Sequence, residues 1–309
     1  MTICAPVVAV RRCIAMTRLS RLAAIAISLV CVLSGAPPTR AQNSPDSPTT
    51  QWSTASFGLT NYPDASNDQQ TGSAESDIVG DADNPALYVS FGEIEGGTND
   101  FLGFRFRLGA DANPSGFDGV ALIGIDANLD GSLDLFVGVN NQGSKDAIGI
   151  WYPGPGLNIS PSTTTFSGSF FESFAQTSFN YSFTPVTPTI DPTATSFDLN
   201  GDNRADYFLS FYVPFSSIVL ALELQGITIT ESSEIQVVGA TATQGNTLNQ
   251  DIAGAVGGNH SSLKWSELGA MSLPFSPVPA VPEPSEHVLF TTAGGLVLVS
   301  LFHRRRPKL

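Results

Sequence analysis

Two short acidic segments contain the side chains of this sequence that are best suited to bind a metal ion. Both follow the pattern apolar-D-x-N-x-D-x-x-x-D, and their first aspartates are 72 residues apart. Oxygen ligands at positions 1, 3, 5 and 9 of a tight loop converge on one point because the backbone wraps around them, and calcium prefers such an oxygen cage. The predicted ligands are Asp126, Asn128, Asp130 and Asp134 with the backbone carbonyl of Ser132, and Asp198, Asn200, Asp202 and Asp206 with the backbone carbonyl of Arg204.

In their first nine positions, these segments resemble the calcium loops of the EF-hand, dockerin and thrombospondin type 3 families. They depart from the pattern at position 12, where Val137 and Leu209 replace the bidentate acid, and Asn203 stands where glycine is usual. The resemblance implies structural calcium, and the departure favours a calcium-binding turn between strands over a helix-loop-helix. The alternative is an Asn/Asp/Gly turn that binds no metal, since these residues form turns without one.

The surrounding sequence indicates an all-β fold. Short apolar segments alternate with Gly, Asn, Asp and Pro clusters, and both acidic loops lead into a strand with Phe136 and Phe208 at equivalent positions, as a duplication or recurrent hairpin would produce. In the clearest strand, 101–108, Phe104 is expected to face the core, while Arg105 and Arg107 face solvent. Residues 214–224 predict a short helical crossover. The predicted fold is an antiparallel β-sandwich of about ten strands, with further strands at 86–94, 119–125, 133–139, 147–152, 178–183, 207–213, 226–230 and 234–240.

Composition and charge suggest how the chain is organised. The predicted sandwich domain covers residues 52–270, between a flexible leader at 42–51 and a proline-rich spacer at 271–284. Between residues 42 and 281, five basic and 26 acidic residues give a formal charge of −21, which argues against nucleic acid as a partner. All three cysteines precede residue 42, so the mature chain is expected to lack disulfides.

The N-terminal region reads as a secretory signal peptide, residues 1–41. Arg18 and Arg21 form its basic part, residues 22–33 form its apolar run, and cleavage is expected after Ala41. The alternative is an N-terminal membrane anchor. A run of about a dozen apolar residues is, however, shorter than the roughly 20 that span a bilayer.

Residues 281–309 combine a short motif, an apolar run at 288–302 and a basic cluster. This order resembles the PEP-CTERM sorting signal, in which a Pro-Glu-Pro motif, a membrane helix and arginines are recognised by an exosortase. The resemblance implies transient insertion of a helix within 285–309 into the inner membrane, followed by export to the cell surface, the outer envelope or the medium. A simple tail anchor is the alternative. The matching residues are Val281, Pro282, Glu283, Pro284, Arg304, Arg305 and Arg306.

These features favour a non-enzymatic surface or extracellular-matrix protein that acts by display or adhesion. One alternative is a module that binds exopolysaccharide through an exposed Trp or Tyr beside calcium, and Trp52, Trp151 and Trp265 are ambiguous between such a surface and the core. Another is a secreted glycan hydrolase or lyase. His260 is the single histidine between the processed ends, and no G-x-S-x-G elbow is present, so an enzyme is not expected. The acids considered for a hydrolase are Glu93, Glu95, Glu172 and Glu223.

Overall fold

The computed structural model describes residues 41–42, 45–46, 52–57, 60–70, 73–94, 100–111, 116–143, 145–242, 248, 250–255 and 263–277. The predicted signal peptide up to residue 40, the sorting motif at 281–284 and the predicted membrane helix in 285–309 lie outside these residues. Within the described ranges, no helix has both the length and the apolar character needed to cross a bilayer.

Fourteen strands, several of them only two residues long, form most of the described secondary structure. Two helices and one 3₁₀ turn (Ala74–Ser76) accompany them. The strands are β1 (Ala41–Gln42), β2 (Ser53–Thr54), β3 (Ser56–Phe57), β4 (Thr60–Asn61), β5 (Leu87–Ile94), β6 (Asp100–Leu108), β7 (Val120–Asp126), β8 (Leu135–Asn140), β9 (Ala147–Trp151), β10 (Glu172–Ala175), β11 (Tyr181–Pro185), β12 (Tyr207–Pro214), β13 (Gln236–Ala242) and β14 (Asp251–Ile252), and the helices are α1 (Phe215–Glu223) and α2 (Trp265–Leu268).

The strands form two large sheets. Sheet 1 has the order β1-β5-β6-β12-β11, with β2 also paired to β5, and all its pairs are antiparallel except the parallel pair of β1 with β5. Sheet 2 is antiparallel, with the order β10-β9-β8-β7-β13-β14. Strands β3 and β4 form a separate small pair, and α1 connects β12 of sheet 1 to β13 of sheet 2. The prediction of a mostly β chain with antiparallel sheets is therefore confirmed.

One hydrophobic cluster contains buried side chains from both sheets. Phe104 and Phe106 contribute from β6, Ile123 from β7 and Val137 from β8, and Ile218 of α1 packs into the same cluster. Alternation along each strand directs these side chains to one face of their sheet. Burying a large apolar side chain contributes about 1.5–3 kcal/mol, so this cluster is a main source of stability.

Sheet 2 is covered on its other face as well. Phe136 of β8 and Val238 of β13 point away from the shared cluster and pack with Trp151, Trp265 and Met271 in a second cluster. Strands β7 and β8 are buried at every residue as a result. This burial on both faces explains why their sequences, VALIGID and LFVGVN, are apolar almost throughout.

The prediction that Arg105 and Arg107 face solvent was wrong. Their side chains point away from the shared core, as alternation requires, but Arg105 is only 4% exposed and Arg107 is fully buried. Arg105 donates to the carbonyl of Pro45 at 2.7 Å and lies over the Trp52 ring at 4.4 Å. The outer face of sheet 1 is thus covered by other chain segments, which a strand-by-strand reading does not reveal.

Part of the segment expected to be a flexible leader lies against sheet 1. Gln42 pairs with β5, and the Asp46 carboxylate accepts hydrogen bonds from the hydroxyls of Ser182 and Thr184 on β11. In the segment expected to be a spacer, Phe275 forms a two-way backbone bridge with Ile235.

Eight of the nine predicted strands correspond to observed ones, and α1 confirms the predicted helical crossover. The predicted strand at 226–230 was wrong, because Ile227 N–H closes the end of α1 on Leu222 and Thr230 N–H bonds to the Ser233 hydroxyl. Strand β10 was not predicted.

Candidate metal-binding sites

The two acidic loops adopt the same backbone conformation. Positions 4 and 6 have positive φ in both: 62° at Leu129 and 86° at Gly131, and 71° at Gly201 and 65° at Asn203. Left-handed backbone is rare for residues other than glycine, so its recurrence at matching positions is informative. The predicted similarity of the two segments is therefore a similarity of structure. The absence of the usual glycine at position 6 of the second loop is accommodated by asparagine, which tolerates this conformation.

In the first loop, between β7 and β8, each predicted ligand side chain also holds the backbone. Asp126 accepts N–H bonds from Asp130 at 3.2 Å and Gly131 at 2.8 Å. Asn128 accepts from Asp130 at 3.0 Å, and Asp130 accepts from Ser132 at 2.8 Å. These side chains therefore fix the curvature of the loop.

The second loop, which leads into β12, repeats this pattern. Asp198 accepts N–H bonds from Asp202 at 3.1 Å and Asn203 at 3.0 Å. Asn200 accepts from Asp202 at 3.1 Å, and Asp202 accepts from Arg204 at 2.8 Å. The donors and acceptors are the same, position by position, as in the first loop.

Position 9 closes both loops. The Asp134 carboxylate accepts the N–H of Ala127 at 2.8 Å, and the Asp206 carboxylate accepts that of Leu199 at 3.1 Å. The backbone N–H of each aspartate donates to the carbonyl of the apolar residue that precedes the loop, at 2.7 Å and 2.8 Å. At position 12, Val137 and Leu209 lie in the shared core, so neither contributes a ligand.

Burial and mutual repulsion act on the acids of the first loop. Burial, together with the charges of Asp126 and Asp130, raises the pKa of Asp134 to about 6. Burial also raises the pKa of Asp126, with Asp130 adding to the effect, while backbone N–H groups oppose it. A bound divalent cation would remove this repulsion.

In the second loop, two arginines already compensate the acids. Arg204 pairs with Asp202 at the surface, and the Arg204 contacts lower the pKa of Asp202. Arg107 pairs with Asp206 at 2.7 Å in the interior. Burial still raises the pKa of Asp206, although Arg107 lowers it. The second loop therefore has less uncompensated negative charge to attract a cation.

The residues of the first loop fit calcium better than those of the second. A carboxylate oxygen that accepts one N–H bond retains a lone pair for a metal. Within the described part of the chain, the acids of neither loop come within 4.8 Å of one another as a group of three. The acids of each loop are therefore not gathered into a converging set of three ligands within the described residues.

A different set of acids does converge, and the sequence analysis missed it. Asp64, Asp68 and Asp251 bring one oxygen each to within 4.8 Å of the other two. Asp251 belongs to the edge strand of sheet 2, whereas Asp64 and Asp68 belong to the segment before β5. No local motif contains all three, so only the pairing of distant segments could reveal the cluster.

The residues considered for glycan chemistry are not assembled into one site by the described contacts. Trp151 and Trp265 are buried in the second cluster, and Trp52 stacks on Tyr212 at 5.8 Å beneath Arg105. Glu172 lies on β10 and Glu223 ends α1. The side chains of Glu93 and Glu95, and His260, are not among the described parts of the chain.

Comparison with known proteins provides no further assignment. No protein-family model matches the sequence, and neither a curated protein nor a solved structure is significantly similar to it, so its function has to be inferred from its own residues.

Proposed function

We propose that this chain is an exported, exosortase-sorted protein of the cell surface or extracellular matrix, with a calcium-stabilised β domain and a non-enzymatic role in display or adhesion. The observation that carries the proposal is the order of elements in residues 281–309. Pro282, Glu283 and Pro284 are followed by an apolar run and then by Arg304, Arg305 and Arg306.

This order has a physical basis in membrane insertion. An apolar run of about 15 residues is marginal for spanning a bilayer, which suits a segment that is held briefly. Arginines are retained on the cytoplasmic side, so the opposite end of the run, with Glu283, would face outward. A processing enzyme of the exosortase type would meet the motif there.

Calcium binding is the property of the β domain that would suit an extracellular location. Residues 42–309 contain no cysteine, so the domain must be stabilised without disulfides. The cluster shared by both sheets supports a β-sandwich. Calcium bound at the two acidic loops would add cross-links, and extracellular calcium modules with dissociation constants of about 10⁻⁴–10⁻³ M are saturated only where calcium is abundant.

A sorting experiment tests the proposal. The chain, with an epitope tag in the exposed turn at residues 145–146, is produced in a bacterium that has an exosortase and in the matched strain that lacks it. We expect the tag outside the inner membrane in the first strain, with loss of the C-terminal segment visible by mass spectrometry. Retention of the full-length chain in the inner membrane is expected in the second.

Two substitutions of the same type separate motif recognition from general charge effects. Glu283→Gln should abolish processing, whereas Glu286→Gln, three residues further on, should leave it intact. Equal processing of both variants, or release in the strain without exosortase, would contradict sorting by this motif. Recovery of the chain in the cytosol with its first 40 residues intact would contradict export itself.

A further inference from the structure

Three aspartates from distant parts of the sequence meet beside the edge of sheet 2. Asp251 begins β14, Asp64 forms a backbone bridge with Gly80, and Asp68 lies in the segment that follows Asp64. One carboxylate oxygen of each lies within 4.8 Å of the other two. Oxygen ligands of one calcium ion have this spacing, because Ca–O distances of about 2.3–2.6 Å place opposite ligands up to about 5 Å apart.

Backbone N–H groups hold two of the three carboxylates in place. Gly254 donates to Asp64 Oδ1 at 2.7 Å, while Ile78 and Ile252 donate to the two oxygens of Asp251 at 2.7 Å and 2.8 Å. Outer hydrogen bonds of this kind orient metal ligands and keep them from rotating away. The carboxylates are therefore fixed in a converging arrangement.

In this cluster, the buried Asp64 carboxylate has an oxygen without a hydrogen-bond partner among the described residues. Asp64 is 7% exposed, and its Oδ2 has no partner among the described residues. Gln69 Oε1, next in sequence to Asp68, is also buried and unpartnered within this part of the chain. Buried polar atoms are almost always satisfied, so an unpartnered carboxylate oxygen calls for an explanation, and a bound cation supplies one.

The acidic charge of Asp64 and Asp251 is not balanced by an ion pair with a basic side chain within the described residues. Arg107 and Arg204 are paired with Asp206 and Asp202, and neither Asp64 nor Asp251 has an ion pair there. Burial and neighbouring acids raise the pKa of Asp64 well above its usual value, and burial raises that of Asp251 to about 8.

We propose that Asp64, Asp68 and Asp251 form a binding site for one hard divalent cation of the calcium class, separate from the two acidic loops. Gln69 offers a neutral oxygen beside the three carboxylates. Such a ligand set consists only of oxygen atoms, as calcium requires. The bound ion would attach the segment before β5 to the edge strand β14.

The same segment also supports the second acidic loop. The Asn67 side chain donates to the carbonyl of Asn200 at 3.2 Å, and the Asn67 N–H donates to the Asp77 carboxylate at 2.9 Å. Asn200 in turn donates to the carbonyl of Gly109 at 3.1 Å. An ion held by Asp68 therefore stabilises the surface on which the second loop rests.

The test counts calcium ions bound by the full-length chain in mild detergent, using calorimetry and elemental analysis after removal of free metal. A parent variant, Asp126→Ala with Asp198→Ala, removes the first ligand of each loop. We expect it to retain one equivalent of calcium, and Asp64→Asn added to it should remove that equivalent. The matched control, Asp83→Asn at an exposed acid outside the cluster, should bind as the parent does.

Failure of this site is distinguishable from failure of the loops or of sorting. If the parent variant binds neither calcium nor magnesium, or still binds one calcium after Asp64→Asn and after Asp68→Asn, the proposed site is overturned. A melting temperature of the parent that does not rise with calcium would likewise overturn the site. In chelator, Asp64→Asn should melt no lower than the parent, because it removes repulsion and keeps the acceptor for Gly254.

Discussion

The buried ion pair between Arg107 and Asp206 should contribute far more to stability than the exposed pair of the same loop. Arg107 Nε donates to Asp206 Oδ2 at 2.8 Å, Nη2 lies 2.7 Å from the same oxygen, and both side chains are fully buried. Arg204 and Asp202 are 51% and 25% exposed. Each pair joins an arginine to an acid of the second loop, so burial is the main difference between them.

The expected loss of stability follows from the charged group that each substitution leaves without a partner. Asp206→Asn keeps an acceptor for the Leu199 N–H but leaves the positive charge of Arg107 buried without a negative partner. The Nη1 atom of Arg107 already has no hydrogen-bond partner among the described residues. Removing one partner of a buried pair costs about 3–5 kcal/mol. Asp202→Asn, at a surface pair, should cost about 0–1 kcal/mol.

Urea unfolding at pH 7.5 in chelator measures both values without a contribution from calcium. We expect Asp206→Asn to lower the free energy of unfolding by at least about 2 kcal/mol more than Asp202→Asn does. For a domain of this size, a loss of 3–5 kcal/mol corresponds to a fall in melting temperature of about 6–20 °C.

A double variant separates the charge from the shape of the site. Arg107→Met with Asp206→Asn should be more stable than Asp206→Asn alone, because no uncompensated charge remains buried. If the losses of unfolding free energy caused by Asp206→Asn and by Asp202→Asn differ by less than about 0.5 kcal/mol, the burial argument is refuted.

Two further predictions concern the acids. In chelator, stability should be highest near pH 4 and should fall as the pH rises. Burial, together with neighbouring acids including Asp68, raises the pKa of Asp77 to about 6 and that of Asp251 to about 8. The folded state therefore holds protons that the unfolded state has released, and this difference lowers its stability as the pH rises. Urea unfolding between pH 4 and 9 measures this slope, and a rise in stability over that range would contradict it. Calcium at about 100 times its dissociation constant should stabilise the chain by about 2.7 kcal/mol per site. Asp126→Asn should reduce that gain more than Asp198→Asn does, because arginines already neutralise part of the negative charge of the second loop. Melting temperatures with calcium and with chelator test the second prediction, and equal losses would contradict the ranking.

The fold was predictable where the sequence pattern is local. Alternation along residues 101–108 located β6, and the proline before residues 215–223 located α1. The segment 226–230 has the same alternation but was not a strand, because the N–H of Ile227 closes the end of α1 and the N–H of Thr230 closes a turn. Periodicity therefore predicts which face of a segment is apolar, and sheet pairing decides whether the segment is a strand.

The candidate sites divide in the same way. The acidic loops were found from sequence because their ligands lie within nine residues and their side chains bond to their own backbone. The cluster of Asp64, Asp68 and Asp251 was missed because its members meet only after β14 pairs with β13. Arg107 was assigned to solvent for a related reason: its partner, Asp206, is 99 residues further along the chain.

The pairing of β6 with β12 constrains the order in which the domain can be completed. Residues 101–108 bond to residues 207–214, and four strands of sheet 2 lie between them in sequence. A polypeptide that emerges from a channel with its N-terminal end first therefore presents β6 with one side open until residue 214 has followed. An open strand edge is a template for pairing with other chains. The abundant carboxylates of this stretch would keep neighbouring chains apart by repulsion during that interval.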